Sequence, residues 1–147
     1  MTIKGLNSLI RKLDALGGNS QKALKTGIRK GTMLVQGDAK ELAPVAEIDG
    51  GLLRGSIQAK VTEKNGDITG KVSTNVEYAA YVEFGTGQRG EGSPSPPKSP
   101  ENLNYRQDWA GMDAQPYLYP ALNQNKERVK AIVKDELKKE IRKLGGN

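Results

Sequence analysis

Neither cysteine nor histidine occurs anywhere in this sequence of 147 residues. Without them there is no disulfide framework, no thiolate nucleophile, no imidazole base and no ligand set for structural zinc. Any catalysis would have to run on carboxylates, lysine, tyrosine or serine. Aromatic residues are scarce at 5%, and apolar residues reach 35% against 27% charged. A chain of this length and composition fits one domain with a modest core, and thin cores are often completed by assembly. Long apolar runs are missing too. No window approaches eighteen consecutive apolar residues, and the start MTIKGLNSLIRK has no unbroken apolar stretch and no small-residue cleavage site. The expectation is a protein that stays in water, with no export signal of its own and no membrane partner.

Acidic charge is in deficit: 23 Lys and Arg stand against 17 Asp and Glu, a net +6. Such a balance permits contact with nucleic acid, an anionic surface or an acidic protein without selecting among them.

What is present is periodic at both ends. Ile3, Leu6, Leu9, Ile10, Leu13 and Leu16 recur at spacings of three and four, one apolar helical stripe stopped by Gly17 and Gly18. Asn19 or Ser20 can cap a second helix, about 20–42, that carries Ala23, Leu24, Ile28, Leu34, Val35, Ala39 and Leu42 and ends before Pro44. Gly27, Gly31 and Gly37 each weaken a helix by roughly 1 kcal/mol relative to Ala, and glycines so spaced mark close packing against a neighbour. After the turn-like EIDGG, Ile57, Ala59 and Val61 alternate with polar residues, as do Ile68, Gly70 and Val72. Asn65-Gly66 between them predicts a hairpin over about 53–75, because both central turn positions favour positive φ.

Tyr78, Tyr81, Val82 and Gly85 predict a short helix over about 76–84. Residues 86–113 hold four prolines, four glycines and three serines without periodicity, and are expected to form one long flexible loop. Leu122, Val129, Ile132, Val133, Leu137, Ile141 and Leu144 predict a final helix over about 121–144, whose other face carries eight basic residues against four acids. The order argues a single α+β domain. A small antiparallel sheet built around a β-hairpin packs against the N-terminal helices and a long C-terminal helix.

Residues with chemical potential are few. Glu77 and Glu83 lie six apart, about 120° around a helix axis, so they do not face a common substrate and read as solvated charges. Ser56 and Lys60 are four apart on an expected strand, with nothing to activate either. The run GTGQRGEG has the glycines of a phosphate loop but no Gly-Lys-Ser/Thr ending, and reads as a flexible arm. The basic last helix lacks the aromatics of single-strand binders and reads as a solvated face. No metal, cofactor or catalytic residue is expected. Tyr78, Tyr81 and Phe84 belong either to the core or to an interface, where aromatics bury large area at little rotamer cost. Tyr117 and Tyr119, in AQPYLYPAL, follow the loop, with Pro116 and Pro120 fixing the backbone around them. Two aromatic groups thus bracket residues 86–113, whose ends are expected to meet.

Three segments in this order, DGGLLRGSI at 49–57, YAAYVEFGTG at 78–87 and AQPYLYPAL at 114–122, resemble the tailed-bacteriophage neck or minor tail-component family of tail-completion and head-tail joining proteins. The matching positions are Gly51, Leu53, Arg54, Ser56 and Ile57, then Tyr78 through Thr86, then Pro116, Leu118, Pro120 and Ala121. The resemblance implies a non-enzymatic virion protein at the neck, or top of the tail, assembled in the host cytoplasm. It would form a ring of identical subunits, expected as a hexamer, between head-closure or connector proteins and the tail terminator or tail tube. Passing contact with genomic DNA is also implied. Tyr78, Tyr81, Phe84, Gly85, Thr86, Gly87, Tyr117 and Tyr119 are the expected subunit or partner contacts. A tail-terminator ring and a basic nucleic-acid-binding protein are the competing readings.

Overall fold

A computed structural model describes residues 19–45, 51–93 and 104–144. The helix expected over 3–16, part of EIDGG and the proline-rich run 94–103 lie outside the described residues. The elements are α1 (Asn19–Leu42), α2 (Leu52–Ser56), β1 (Gln58–Lys64), β2 (Asp67–Ser73), α3 (Ala79–Phe84), α4 (Gly87–Gly92) and α5 (Leu118–Leu144), with β1 and β2 paired in a two-stranded sheet. The protein is therefore α+β. Two compact units divide the chain; the described residues of the first are 19–34, 59–71 and 125–144, and the second takes Val35–Gln58 and Val72–Gln124.

The first unit is built on small residues. Ala23, Gly27 and Gly31 recur every four positions along α1, opposite a matching stripe of Val129, Val133 and Leu137 on α5. A Cβ at Gly27 would lie 2.9 Å from Val133 Cα, and one at Gly31 would lie 2.7 Å from Val129 Cγ1. The missing side chains thus let two antiparallel helices approach until backbone and valine touch, with Leu24, Ile28 and Ile141 closing the core around Ala23, Val133 and Leu137. The close packing expected of these glycines holds at 27 and 31, whereas Gly37 has open space around it.

The hairpin lies on α1 by the same device. A Cβ on Gly70 would come within 2.0 Å of Thr32 Oγ1 and 3.2 Å of Ile28 Cγ2. Asn65 and Gly66 turn the chain at φ 54° and 84°, the positive angles that a two-residue hairpin loop needs. Gln21 Nε2 donates to Gly66 O at 2.7 Å and ties the turn to the start of α1. On α5, Glu136 accepts from Lys30 and Lys139, and the Lys30 contact first of all holds its carboxyl below the ordinary range.

In the second unit, residues 52–56 form a helical turn where strand was expected. Gly51 begins it in the left-handed region at φ 91°, and Leu53 and Ile57, four apart, are both buried on one face. Helical spacing overrides the alternation that starts at residue 57, so β1 begins at Gln58. Arg54 Nη2 donates to Ala43 O at 3.2 Å, satisfying a carbonyl just past the end of α1 with a cation. Leu42 and Leu122, counted on apolar faces in the sequence, are exposed.

Candidate functional site

Ala79 and Glu83 stand four positions apart along α3, which puts both on the buried face, while Tyr81 on the other side is 61% exposed. Glu83 is only 4% exposed. Its Oε2 accepts from the backbone N–H of Tyr117 at 2.7 Å and of Leu118 at 3.0 Å, and its Oε1 accepts from Tyr119 at 2.9 Å. These are the first amide groups of α5, which no carbonyl inside the helix can reach. The fourth position is Pro120, which has no N–H to satisfy. One carboxylate and one proline therefore account for all four orphan donors, and the negative charge sits at the positive end of a 27-residue helix. Charge-assisted hydrogen bonds of this kind contribute roughly 1.5–3 kcal/mol each, enough in combination to hold a buried charge.

This corrects the expectation that Glu77 and Glu83 are both solvated. Glu77 is exposed, but Glu83 is an interior clamp joining YAAYVEFGTG to AQPYLYPAL. Beside it, Tyr117 has no exposed surface and donates its hydroxyl to Ala79 O at 3.3 Å. Burial, and then the neighbouring Glu83 charge, push the Tyr117 hydroxyl well above the ordinary tyrosine range.

Beyond α3 the chain turns sharply at Gly85, φ 74°, and meets the returning segment of residues 109–115. Thr86 and Met112 pair antiparallel, with N–H to O distances of 2.9 and 3.0 Å; Gln88 N reaches Trp109 O at 3.0 Å and Gln115 N reaches Val82 O at 2.8 Å. The ends of the long loop do meet. They do so backbone to backbone, because a Cβ on Gly111 would stand 1.9 Å from Thr86 O, and one on Gly87 would stand 2.6 Å from Trp109 O. Residues 86–113 are therefore not one unstructured loop: Gly87–Gly92 forms a helical turn, and Tyr105 donates its hydroxyl to Phe84 O at 3.0 Å. The run GTGQRGEG, read as a flexible arm, is half of this crossing, with Gly87 and Gly90 buried.

The eight expected contact residues separate into three groups. Gly85, Gly87 and Tyr117 are covered by their own chain, and Tyr78, Phe84 and Thr86 are half-buried. Tyr81 and Tyr119 are exposed, as are Trp109, Met112, Leu52 and Val45, none of which sequence reasoning singled out. A groove of about 390 Å³ opens in this unit, lined mainly by Val45, Leu52, Leu53, Tyr78, Val82 and Met112. Ser56 ends α2 rather than lying on a strand; its hydroxyl bonds Leu53 O at 2.7 Å and the Thr74 hydroxyl at 2.6 Å, a structural use. Among the described residues, no group of three or more acids, histidines or cysteines could hold a metal ion, and no helix is long and apolar enough to cross a membrane.

The residue that sequence reasoning misjudged was Glu83. Its signal was available in Pro120: a proline in the first helical turn leaves three donors for a partner to satisfy, and an acid on an apolar helix face can supply it. Comparison with known families finds a match over residues 7–85, just over half of the chain, to one described as "Bacteriophage HK97-gp10, putative tail-component". The matched span includes Glu83 but stops before the helix end that Glu83 holds. No curated protein and no solved structure matches.

Proposed function

Since the chain belongs to the HK97-gp10-like family of bacteriophage tail components, we propose that it is a non-enzymatic tail-completion protein. In this reading it forms a ring of identical subunits at the neck, between head-closure proteins and the tail tube. The observation that carries the reading is the outward face of α3: the turn that seals Glu83 inside leaves Tyr81 61% exposed, in a unit that also exposes Leu52, Trp109 and Met112. Large apolar side chains gathered on one unit are what an assembly surface requires. A ring needs two different faces per subunit, and each contact would be heterologous. A tail-terminator ring uses the same logic and differs in its partner.

The test is the size of the purified protein in solution, alone and mixed with head-closure or tail-tube proteins. A closed oligomer that forms with either partner supports the proposal, and the partner that joins it separates neck from terminator. A monomer under every condition would overturn it. Tyr81→Ala should leave the melting midpoint unchanged while weakening assembly; loss of folding would return Tyr81 to its own core.

Contact with DNA is favoured by one observation. The described residues of the first unit carry fifteen basic side chains against six acids. Binding of duplex DNA should then weaken steeply with salt, since each neutralised phosphate releases counterions.

A further inference from the structure

We infer that the solvent face of α5 binds double-stranded DNA through its phosphates, with Lys134, Lys138 and Arg142 each set against one phosphate and no base read. This inference rests on the DNA contact proposed above and gives it a location and a mode.

Ion pairing decides which charges are available to a partner. Among the described residues of the first unit, four of the six acids are already engaged: Glu63 by Lys25, Glu127 by Lys130, Glu136 by Lys30 and Lys139, and Glu140 by Lys143. These bridges occupy five cations. Ten basic side chains and only two acids, Asp67 and Asp135, are left outside any ion pair among the described residues of that unit. On α5 each of the three glutamates pairs with a lysine three positions on, and three of the cations that these pairs miss form a row. Lys134, Lys138 and Arg142 are all exposed and recur every four positions, so each step advances about 6 Å and turns only about 40° around the helix. The row is about 12 Å long, a length over which one strand of a duplex presents roughly three or four phosphates. Each cation can therefore meet its own anion.

The class of partner follows from what this surface lacks. All seven aromatic residues of the chain lie in the other unit, so nothing beside the row can stack on the bases of a single strand. The apolar stripe of α5, Val129, Val133 and Leu137, is buried against α1, and Met33 is the only large apolar side chain exposed among the described residues of the unit. A bilayer would need such a stripe free, and protein interfaces are poor in lysine and rich in aromatics. What remains is density of positive charge, and duplex DNA answers it with one phosphate per roughly 1.7 Å of helix axis. The other unit, with seven acids against four basic residues among its described residues, offers no such attraction.

The test is the affinity of the full-length protein for a short fluorescent duplex, measured by anisotropy over a series of salt concentrations. Two triple variants lose the same charge: Lys134→Gln with Lys138→Gln and Arg142→Gln, and Lys130→Gln with Lys139→Gln and Lys143→Gln, whose lysines are already paired. The row variant should lower the slope of log affinity against log salt by about 2–3 and weaken binding at low salt at least about tenfold, whereas the paired variant should lower the slope by less than about 1. Lys134→Arg with Lys138→Arg and Arg142→Lys should keep the slope, which separates lost charge from lost fold. Asp135→Asn, which removes the free acid three positions before Lys138, should tighten binding. Equal losses in the two triple variants would mean that net charge alone attracts DNA, and would overturn the row. So would equal affinity for vesicles of phosphatidylserine, or a strong preference among duplexes of different sequence. If the row variant binds duplex undiminished, the row is wrong and the DNA contact stands. If the unaltered protein binds no duplex even at low salt, both fall.

Discussion

Two sets of three glycines, one set in each compact unit, play opposite parts. In the unit containing the hairpin turn, Gly27, Gly31 and Gly70 keep ordinary helix or strand backbone, and each makes room for a neighbouring element, Val133, Val129 or Thr32. In the other, Gly85, Gly87 and Gly111 adopt φ of 74°, 62° and 71°, and what would meet their missing Cβ atoms is largely backbone. At Gly31 the atom met is a valine methyl, which can shift by rotamer or by a small repacking, whereas a hydrogen-bonded carbonyl cannot. Position 31 should therefore absorb a small insult that the crossing in the second unit will not.

The sharpest way to break that contrast is Gly111→Ala. Its Cβ would lie 1.9 Å from Thr86 O at a left-handed backbone position, and the expected loss is on the order of 3 kcal/mol or more, read from the denaturant midpoint. A loss below about 1 kcal/mol would show that the crossing yields after all. Next comes Glu83→Ala, which strands the three amides at the head of α5. We expect about 3 kcal/mol, with Glu83→Gln milder because one acceptor oxygen remains. Equal effects from the two variants would mean that bulk, not hydrogen bonding, is what Glu83 supplies.

Gly31→Ala tests the first unit. Its Cβ meets Val129 Cγ1 at 2.7 Å, so overpacking of about 1–3 kcal/mol competes with a gain of roughly 1 kcal/mol in helix propensity. Adding Val129→Ala should recover part of the net loss, and a double-mutant cycle with no coupling would place the strain elsewhere. Smallest, and of opposite sign, is Gly37→Ala: with nothing within 4 Å of its Cβ, the variant should be more stable by about 0.5–1 kcal/mol. Thermal melts of the pair Gly31→Ala and Gly37→Ala then compare a packed glycine with an idle one on the same helix.

The same contrast governs how much could be read in advance. α1 was expected over 20–42 and spans Asn19–Leu42, and the hairpin turn sits at Asn65-Gly66, because spacing and turn chemistry are local properties. Boundaries slipped where two local patterns overlapped. β1 starts at 58 because Leu53 and Ile57 pair at helical spacing first, and α5 starts at Leu118 rather than 121 because proline is tolerated in a first turn. The crossing of 85–90 with 109–114 leaves no periodic trace. Its partners are some 25 residues apart in sequence, and its contacts are made by backbone and by atoms that are absent. Of the eight contact residues named in the sequence, Tyr117 was drawn inward, because a phenol that can reach the Ala79 carbonyl is better buried than wet.

By itself the sequence determined the class of fold, the two long helices, the hairpin turn, the lack of cysteine and histidine side chains, and, over residues 7–85, the family. Each of these is carried by residue type or by spacing within one element. Tertiary structure alone decided that Glu83 is an interior clamp and not a surface charge, that the glycines of GTGQRGEG make a crossing and not an arm, and that Tyr81 faces outward while Tyr117 faces in. Those outcomes turn on which distant backbone groups arrive with unmet hydrogen bonds, and only the folded chain brings them together.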